Sequence, residues 1–187
     1  MSKKDTWIDP FIKKLCALDP PDDLANTKRA ELAHLRRGLG KPTHLTLSRL
    51  GWLFISVPDW AVNPAVLIAG LFATHSQPHG SGSLGKALRR FRDATGAEES
   101  ADKRFASLID SDAEDLAERL RHIVKLLKSK DVPVDYAQLL EDLLGWDWES
   151  RKKQWDWSRD YWRGLTDEPN ETETSETSTP STEGVAP

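Results

Sequence analysis

Apolar positions along the first 165 residues recur at helical rather than strand spacing. Trp7, Ile8, Phe11, Ile12 and Leu15 share one helical face, and Pro20-Pro21 ends that element. A second helix carries Leu24, Leu32 and Leu35 and runs out at Gly38 or Gly40. Residues 45–57 are ambiguous, because Phe54 to Val57 would tolerate a short strand. Asn63-Pro64 places a capping residue before a proline suited to a first helical turn, and the apolar run "AVLIAGLFATH" follows. After the Gly/Ser loop "PHGSGSLG" the spacing predicts helices over about 84–93 and about 100–109. A long helix follows over about 112–130, where Ser111 and Glu114 have the spacing of a capping box. Val132-Pro133 breaks the chain and Asp135 can cap a helix through Leu144. A Trp-rich segment is then the last helix. No internal repeat and no succession of alternating strands occurs, so the expected fold is all-α: a helical bundle of about eight or nine helices in two packed sub-bundles. We expect an N-terminal bundle over 1–98, a C-terminal bundle over 99–165 and an acidic tail over 166–187.

The formal net charge of −4 conceals an asymmetry. Residues 166–187 hold six acids and no Lys or Arg, which leaves the preceding 165 residues with a net charge of +2. That tail is rich in Thr, Ser, Glu and Pro and has no large apolar residue to bury, so it is expected to be disordered. The longest apolar run, Ala65 to Ala73, is about half the ~20 residues a membrane helix needs. The N-terminus "MSKKDTWIDP" lacks an apolar signal-peptide core, and the single cysteine, Cys16, allows no internal disulfide. The expected location is the cytoplasm, with no membrane partner.

Candidate catalytic chemistry does not assemble. "GSGSLGK", Gly80 to Lys86, has the spacing of a phosphate loop, but Ala87 stands where a magnesium-binding Ser or Thr belongs, and the preceding segment reads as a helix rather than a strand. The five histidines form no metal spacing, and Pro78 interrupts the pair His75 and His79. No nucleophile–base pair is apparent. Neither enzyme activity, a metal nor a cofactor is expected.

What remains is basic and aromatic. Lys28, Arg29, Arg36, Arg37 and Lys41 face a single acid, Glu31; Lys86, Arg89, Arg90 and Arg92 form a second cluster. Lys103-Arg104, the C-terminal end of the long helix and Arg151-Lys152-Lys153 add others. In the long helix the acids crowd the start and the bases the end, as the macrodipole favours, so part of that cluster needs no functional reason. Five of the eight tryptophans lie between Gly145 and Trp162. At about 100° per residue, Trp148, Trp155 and Trp162 share a stripe flanked by Arg151, Lys152, Arg159 and Arg163. Trp146, Trp157 and Tyr161 fall nearly opposite. One face should pack inside; the other is left for a neighbouring helix, a second subunit, or bases stacked beside phosphate-binding cations.

The ordered motifs "KRAELAHLRRG", "LIAGLFATH", "GSGSLGKALRRF", "KRFASLIDSDAEDLAERLRHIVKLLKSKDVPVDYAQLLEDLLGW" and "WSRDYW" resemble one family, the CasB small subunit of the type I-E CRISPR surveillance complex Cascade. The likeness spans about residues 24–163. It implies two helical bundles without catalysis, paired with a second copy along the complex, beside other Cascade subunits. It further implies phosphate contacts to guide RNA and to the displaced single-stranded DNA of the R-loop. Carried over by motif, the nucleic-acid-binding residues would be Arg36 and Arg37 of "HLRRG", Lys86 of "SLGK", Arg104 of "KRF", Arg121 of "LRH", and Arg151 with Lys152. His122 departs from the family by standing where a second basic residue is common. Two readings follow: a sequence-independent nucleic-acid-binding subunit in antiviral defence, or a helical adaptor that binds proteins through its Trp-rich last helix.

Overall fold

A computed structural model describes residues 7–18, 25–37, 48–146 and 149–163. Among them are eight α-helices: α1 (Ile8–Cys16), α2 (Ala25–Arg37), α3 (Val62–Thr74), α4 (Leu84–Thr95), α5 (Glu98–Ile109), α6 (Ala113–Lys128), α7 (Tyr136–Leu144) and α8 (Lys152–Trp162). A short helical segment over 48–50 runs into 3-10 turns at Gly51–Phe54 and Asp59–Ala61. No strand occurs among the described residues, so the chain is all-α. The acidic tail and Trp148 lie outside them.

The run Ala65 to Ala73 is apolar on every side, and a helix of that kind needs neighbours all round. It has them: all nine residues are buried in α3, which packs against α2, α6 and α7. On the other side of the molecule α4 lies along α8 and also touches α5 and α6. Buried residues from Ile8 to Tyr161 join in one apolar cluster. The end of α3 is held by polar contacts rather than by glycine. His75 donates Nε2–H to the Val132 carbonyl (2.8 Å), and the Tyr136 hydroxyl donates to the His75 carbonyl (2.5 Å). Burial pushes the Tyr136 phenol pKa well up, which keeps it a donor. Among the described residues no single helix is long and apolar enough to cross a membrane.

Several local expectations are corrected. Phe54–Val57 is not a strand: Trp52 and Ile55 point outward, and the backbone closes a 3-10 turn instead. Asn63 does not cap α3. The helix begins at Val62 after the 3-10 turn, whose backbone bonds already serve the first amides, and Pro64 sits in the first turn, where its missing N–H costs nothing. Asp112, not Ser111, caps α6, accepting from the Asp115 amide (3.1 Å); the Ser111 hydroxyl turns back to the Leu108 carbonyl (2.6 Å). The Trp-rich helix starts at Lys152 rather than Trp146, because Arg151 adopts a left-handed backbone (φ 45°) and turns the chain there.

The phosphate-loop spacing has a packing explanation. A β-carbon at Gly85 would run into the Trp157 carbonyl of α8, with the Trp157 carbonyl carbon 2.9 Å away. One at Gly80 would stand 2.5 Å from the Asp135 amide nitrogen. The glycines let two backbones approach, and the chain before the loop is helix α3 and an extended segment rather than a strand.

Candidate nucleic-acid interface

The structure sorts the basic residues by partner. Arg92, although part of the "KALRRFR" cluster, is buried and bridges Asp102 (3.1 Å) and Glu98 (3.1 Å), tying α4 to α5. Lys153 is bonded to buried Asp142 (2.7 Å), which also accepts from Trp157 Nε1 (2.6 Å) and Gln138 Nε2 (3.0 Å). Arg89 reaches Asp93 (3.5 Å) and the Arg163 carbonyl. These cations are committed to the fold.

The residues carried over by motif behave differently. Arg36, at the exposed end of α2, donates Nε–H to the Ala73 carbonyl, and Lys128 donates to the neighbouring Thr74 carbonyl (2.9 Å). The first basic cluster and the end of the long helix thus meet at the C-terminus of α3, whose dipole favours positive charge. Arg37 and Lys86 are exposed, Arg121 is half-buried, and none of the three forms an ion pair with a described residue. Arg104 donates to the Ser100 carbonyl (3.0 Å) and hydroxyl, and Arg151 to the Ile109 carbonyl (2.7 Å). Among the described residues Lys152 alone of the seven has a carboxylate partner, Asp156 at 2.8 Å, which Arg159 shares at 2.6 Å. The Lys152 hydrogen bond, with the charges of Lys152, Arg159 and Lys153, holds the Asp156 carboxyl below the usual carboxylate range.

One groove gathers cations from two helices. Between α5 and α6 a cleft of about 470 Å³ is lined by Ser100, Lys103, Arg104, Ser107, Arg119 and His122, with Ile123 at its apolar wall and no carboxylate among the lining residues. Arg119 donates to the Ser107 hydroxyl, stands 3.8 Å from Asp115, and leaves its buried Nε without a partner. Lys103 pairs with Glu99 (2.6 Å) on the open surface, where such a pair contributes little. Sequence reasoning selected Arg104 here but assigned Arg119 to the helix gradient and discounted His122. The missed signal was their place on two helices joined by the short turn 110–112, which brings 104 and 119 to facing surfaces. The groove does not include Arg36, Arg37 or Lys86.

The last helix divides its aromatics as its period requires. Trp157 and Tyr161 are fully buried, Tyr161 stacking on Phe105 at 4.0 Å and Trp157 against Trp146 at 4.8 Å. Burial, reinforced by the hydrogen bond it donates to Asp102 (2.6 Å), pushes the Tyr161 phenol pKa up. Trp155 (69% exposed) and Trp162 face outward. Trp52, Ile55 and Trp60, in and beside the 3-10 turns, are also exposed.

Comparison with known proteins supplies the context for this geometry. A family model described as CRISPR-associated protein Cse2 matches residues 31–162. A Cse2 protein of Thermus thermophilus is 34% identical over 113 residues, an alignment covering 58% of this chain and 63%, less than two thirds, of that relative. The crystal structure of CasB from Thermobifida fusca superposes with a TM-score of 0.66 at 28% identity, covering 83% of this chain and 98% of that one. A chain of a CRISPR RNA-guided surveillance complex superposes with a TM-score of 0.67 at 22% identity, over 84% and 92% of the two chains, a likeness of fold.

Proposed function

The chain belongs to the Cse2 family of CRISPR-associated proteins, and from that footing we propose that it is the non-catalytic small subunit of a Cascade-type surveillance complex. In this reading it binds the phosphates of guide RNA and of the displaced DNA strand without reading sequence. The observation that carries the reading is the α5–α6 groove, where Lys103, Arg104, Arg119 and His122 converge with no lining carboxylate. Phosphate is the ligand class that such a concentration of N–H donors suits, and Arg can grip it with two parallel hydrogen bonds. In RNA-guided complexes base pairing reads the sequence, while the protein supplies backbone contacts and stabilises the displaced strand. Arg36 and Lys128 at the end of α3, with Arg37, Lys86, Arg121 and Arg151, would extend the contact surface beyond the groove.

Binding of the full chain to labelled single-stranded DNA and RNA over a salt series tests this. Log affinity should fall linearly with log salt, with a slope of about −0.7 per phosphate neutralised. Arg104→Glu with Arg119→Glu should weaken every strand by a similar factor and flatten the slope by about 0.7 for each phosphate that is no longer neutralised. A loss confined to particular sequences, or none, would overturn the proposal.

The exposure of Trp52, Ile55 and Trp60 in and beside the 3-10 turns favours a second role beside the first. Aromatics left on a surface mark protein contacts, so this face suits other subunits of the complex or a second copy of the chain. Trp60→Ala should then impair assembly while strand affinity in the assembled complex is unchanged.

A further inference from the structure

On that reading the α5–α6 groove takes phosphates, and no Trp, Tyr or Phe is among its lining residues to stack a base. A second, smaller cavity does. It has a volume of about 210 Å³ and lies between the end of α5 and the first turns of α8, lined by Ile109, Arg151, Gln154, Trp155 and Ser158. Each of its walls is set by a feature of the chain. Arg151 is held in a left-handed backbone conformation and its guanidinium is tied to the Ile109 carbonyl (2.7 Å), which stations a cation at the rim. Its own carbonyl accepts from the Trp155 amide (3.0 Å), so the turn that places the cation also starts the helix that places the indole. Trp155 keeps 69% of its surface in water, whereas Trp157, two residues on, is fully buried.

Gln154 adds the polar element. It is only 5% exposed; its Nε2 donates to the Trp146 carbonyl (2.9 Å), and its Oε1 has no hydrogen-bond partner. That oxygen is closed off from solvent, and the amide's orientation is set by the bond on its other end, so Gln154 forms a fixed wall. The cavity therefore combines an aromatic face and a cation. An apolar side chain from a protein would use the ring alone. A nucleotide of a single strand presents a flat face and an adjoining phosphate, and so answers both.

We propose that this cavity receives one unpaired base of the bound strand, stacked on Trp155, with the adjoining phosphate beside Arg151. The proposal rests on the strand-binding reading above. Every base has a π face, so the pocket holds strand in place without selecting sequence.

The test compares the full chain and two variants on a labelled thymidine oligomer and on an abasic oligomer of equal length. Wild type should bind the base-bearing strand on the order of tenfold tighter. Trp155→Leu keeps an apolar side chain but removes the ring, and should erase most of that ratio while leaving abasic binding unchanged; Trp155→Phe should retain part of it. Because Trp155 is exposed, the urea midpoints of all three should agree. A ratio near one in wild type, or one that Trp155→Leu leaves intact, overturns the base pocket. So does an equal loss on both strands, which would assign Trp155 to the fold or to a protein contact. If Arg104→Glu weakens both strands while the ratio in wild type is near one, the groove stands and this pocket alone falls. If wild type binds neither strand, the strand-binding reading falls with it.

Discussion

Replacing Gly85 with alanine sets two effects against each other, and the structure says which wins. In an exposed helix, exchanging Gly for Ala gains about 1 kcal/mol through backbone entropy. Gly85, however, is buried in the first turn of α4, and the added methyl would overlap the Trp157 carbonyl and stand 2.9 and 3.0 Å from its carbonyl carbon and Cα. Those atoms belong to the backbone of α8 and cannot swing aside as a side chain would. Relief requires α4 and α8 to separate. That separation strains the Ser83 hydroxyl bond to Asp160 (2.7 Å) and the Arg89 bond to the Arg163 carbonyl, which cross the same seam.

Overpacking of this kind costs about 1–3 kcal/mol, and loss of the Ser83 bond adds about 1 kcal/mol. After the entropy gain the variant should be less stable by about 1–3 kcal/mol. Urea unfolding followed by tryptophan fluorescence reads this directly, as a fall in midpoint at constant m. Gly96, the C-cap of the same helix, serves as the control. It has φ 64°, and a β-carbon there would meet nothing within 4 Å, so Gly96→Asn should cost only a few tenths of a kcal/mol, because Asn tolerates that conformation. Gly85→Asn should be the more damaging of the two by a wide margin. A Gly85→Ala midpoint at or above wild type would refute the packing account of this loop and reopen the phosphate-loop reading of "GSGSLGK".

Two further predictions concern the charges of α8. Asp142→Ala leaves the Lys153 ammonium and the buried Trp157 N–H without their acceptor, and should cost about 3–5 kcal/mol in a urea titration; Asp142→Asn, which preserves shape and one acceptor, should cost less. Asp156→Asn frees Lys152 and Arg159 from the carboxylate they share. Strand affinity should rise, and the log affinity–log salt slope should steepen by about 0.7 for each further phosphate neutralised. Since the Asp156 pKa is lowered by folding, its small contribution to stability is present above the ordinary carboxylate pKa and is lost as pH falls through the depressed one. Wild type and Asp156→Asn should therefore differ most in urea midpoint near neutrality and converge in acid.

The helices were legible wherever burial imposed a period. α1, α4, α6 and α7 are found within a few residues of their expected spans because their apolar positions repeat as a packed helix requires. The segment 51–61 was not legible, because Trp52, Ile55 and Trp60 are apolar yet exposed, so the inside–outside pattern that marks an element is missing there. The two faces of the last helix could be separated from spacing, but not which of them was buried. That choice belongs to Phe105, Trp146 and Asp102, which meet it from other parts of the chain. The α5–α6 groove was half visible: Arg104 stood in a recognisable motif, while Arg119 had a sufficient local explanation in the helix dipole and nothing local pointed across the turn.

Charge in a sequence is a count, whereas charge on a surface depends on what each cation is bonded to. A carboxylate partner neutralises a cation and makes it compete for phosphate, as at Arg92, Lys153 and Lys152. A carbonyl partner orients the side chain and leaves the charge in place. Arg36, Arg104, Lys128 and Arg151 are all held this way, by Ala73, Ser100, Thr74 and Ile109. Long basic side chains lose about 2 kcal/mol of rotamer entropy when a ligand immobilises them, and part of that loss is already incurred on folding when a carbonyl holds the stem. Such cations are therefore both fully charged and partly ordered before a strand arrives. The carbonyl-held set is where charge reversal should weaken strand binding most, and the buried carboxylate pairs of Arg92 and Lys153 are where it should mainly unfold the protein.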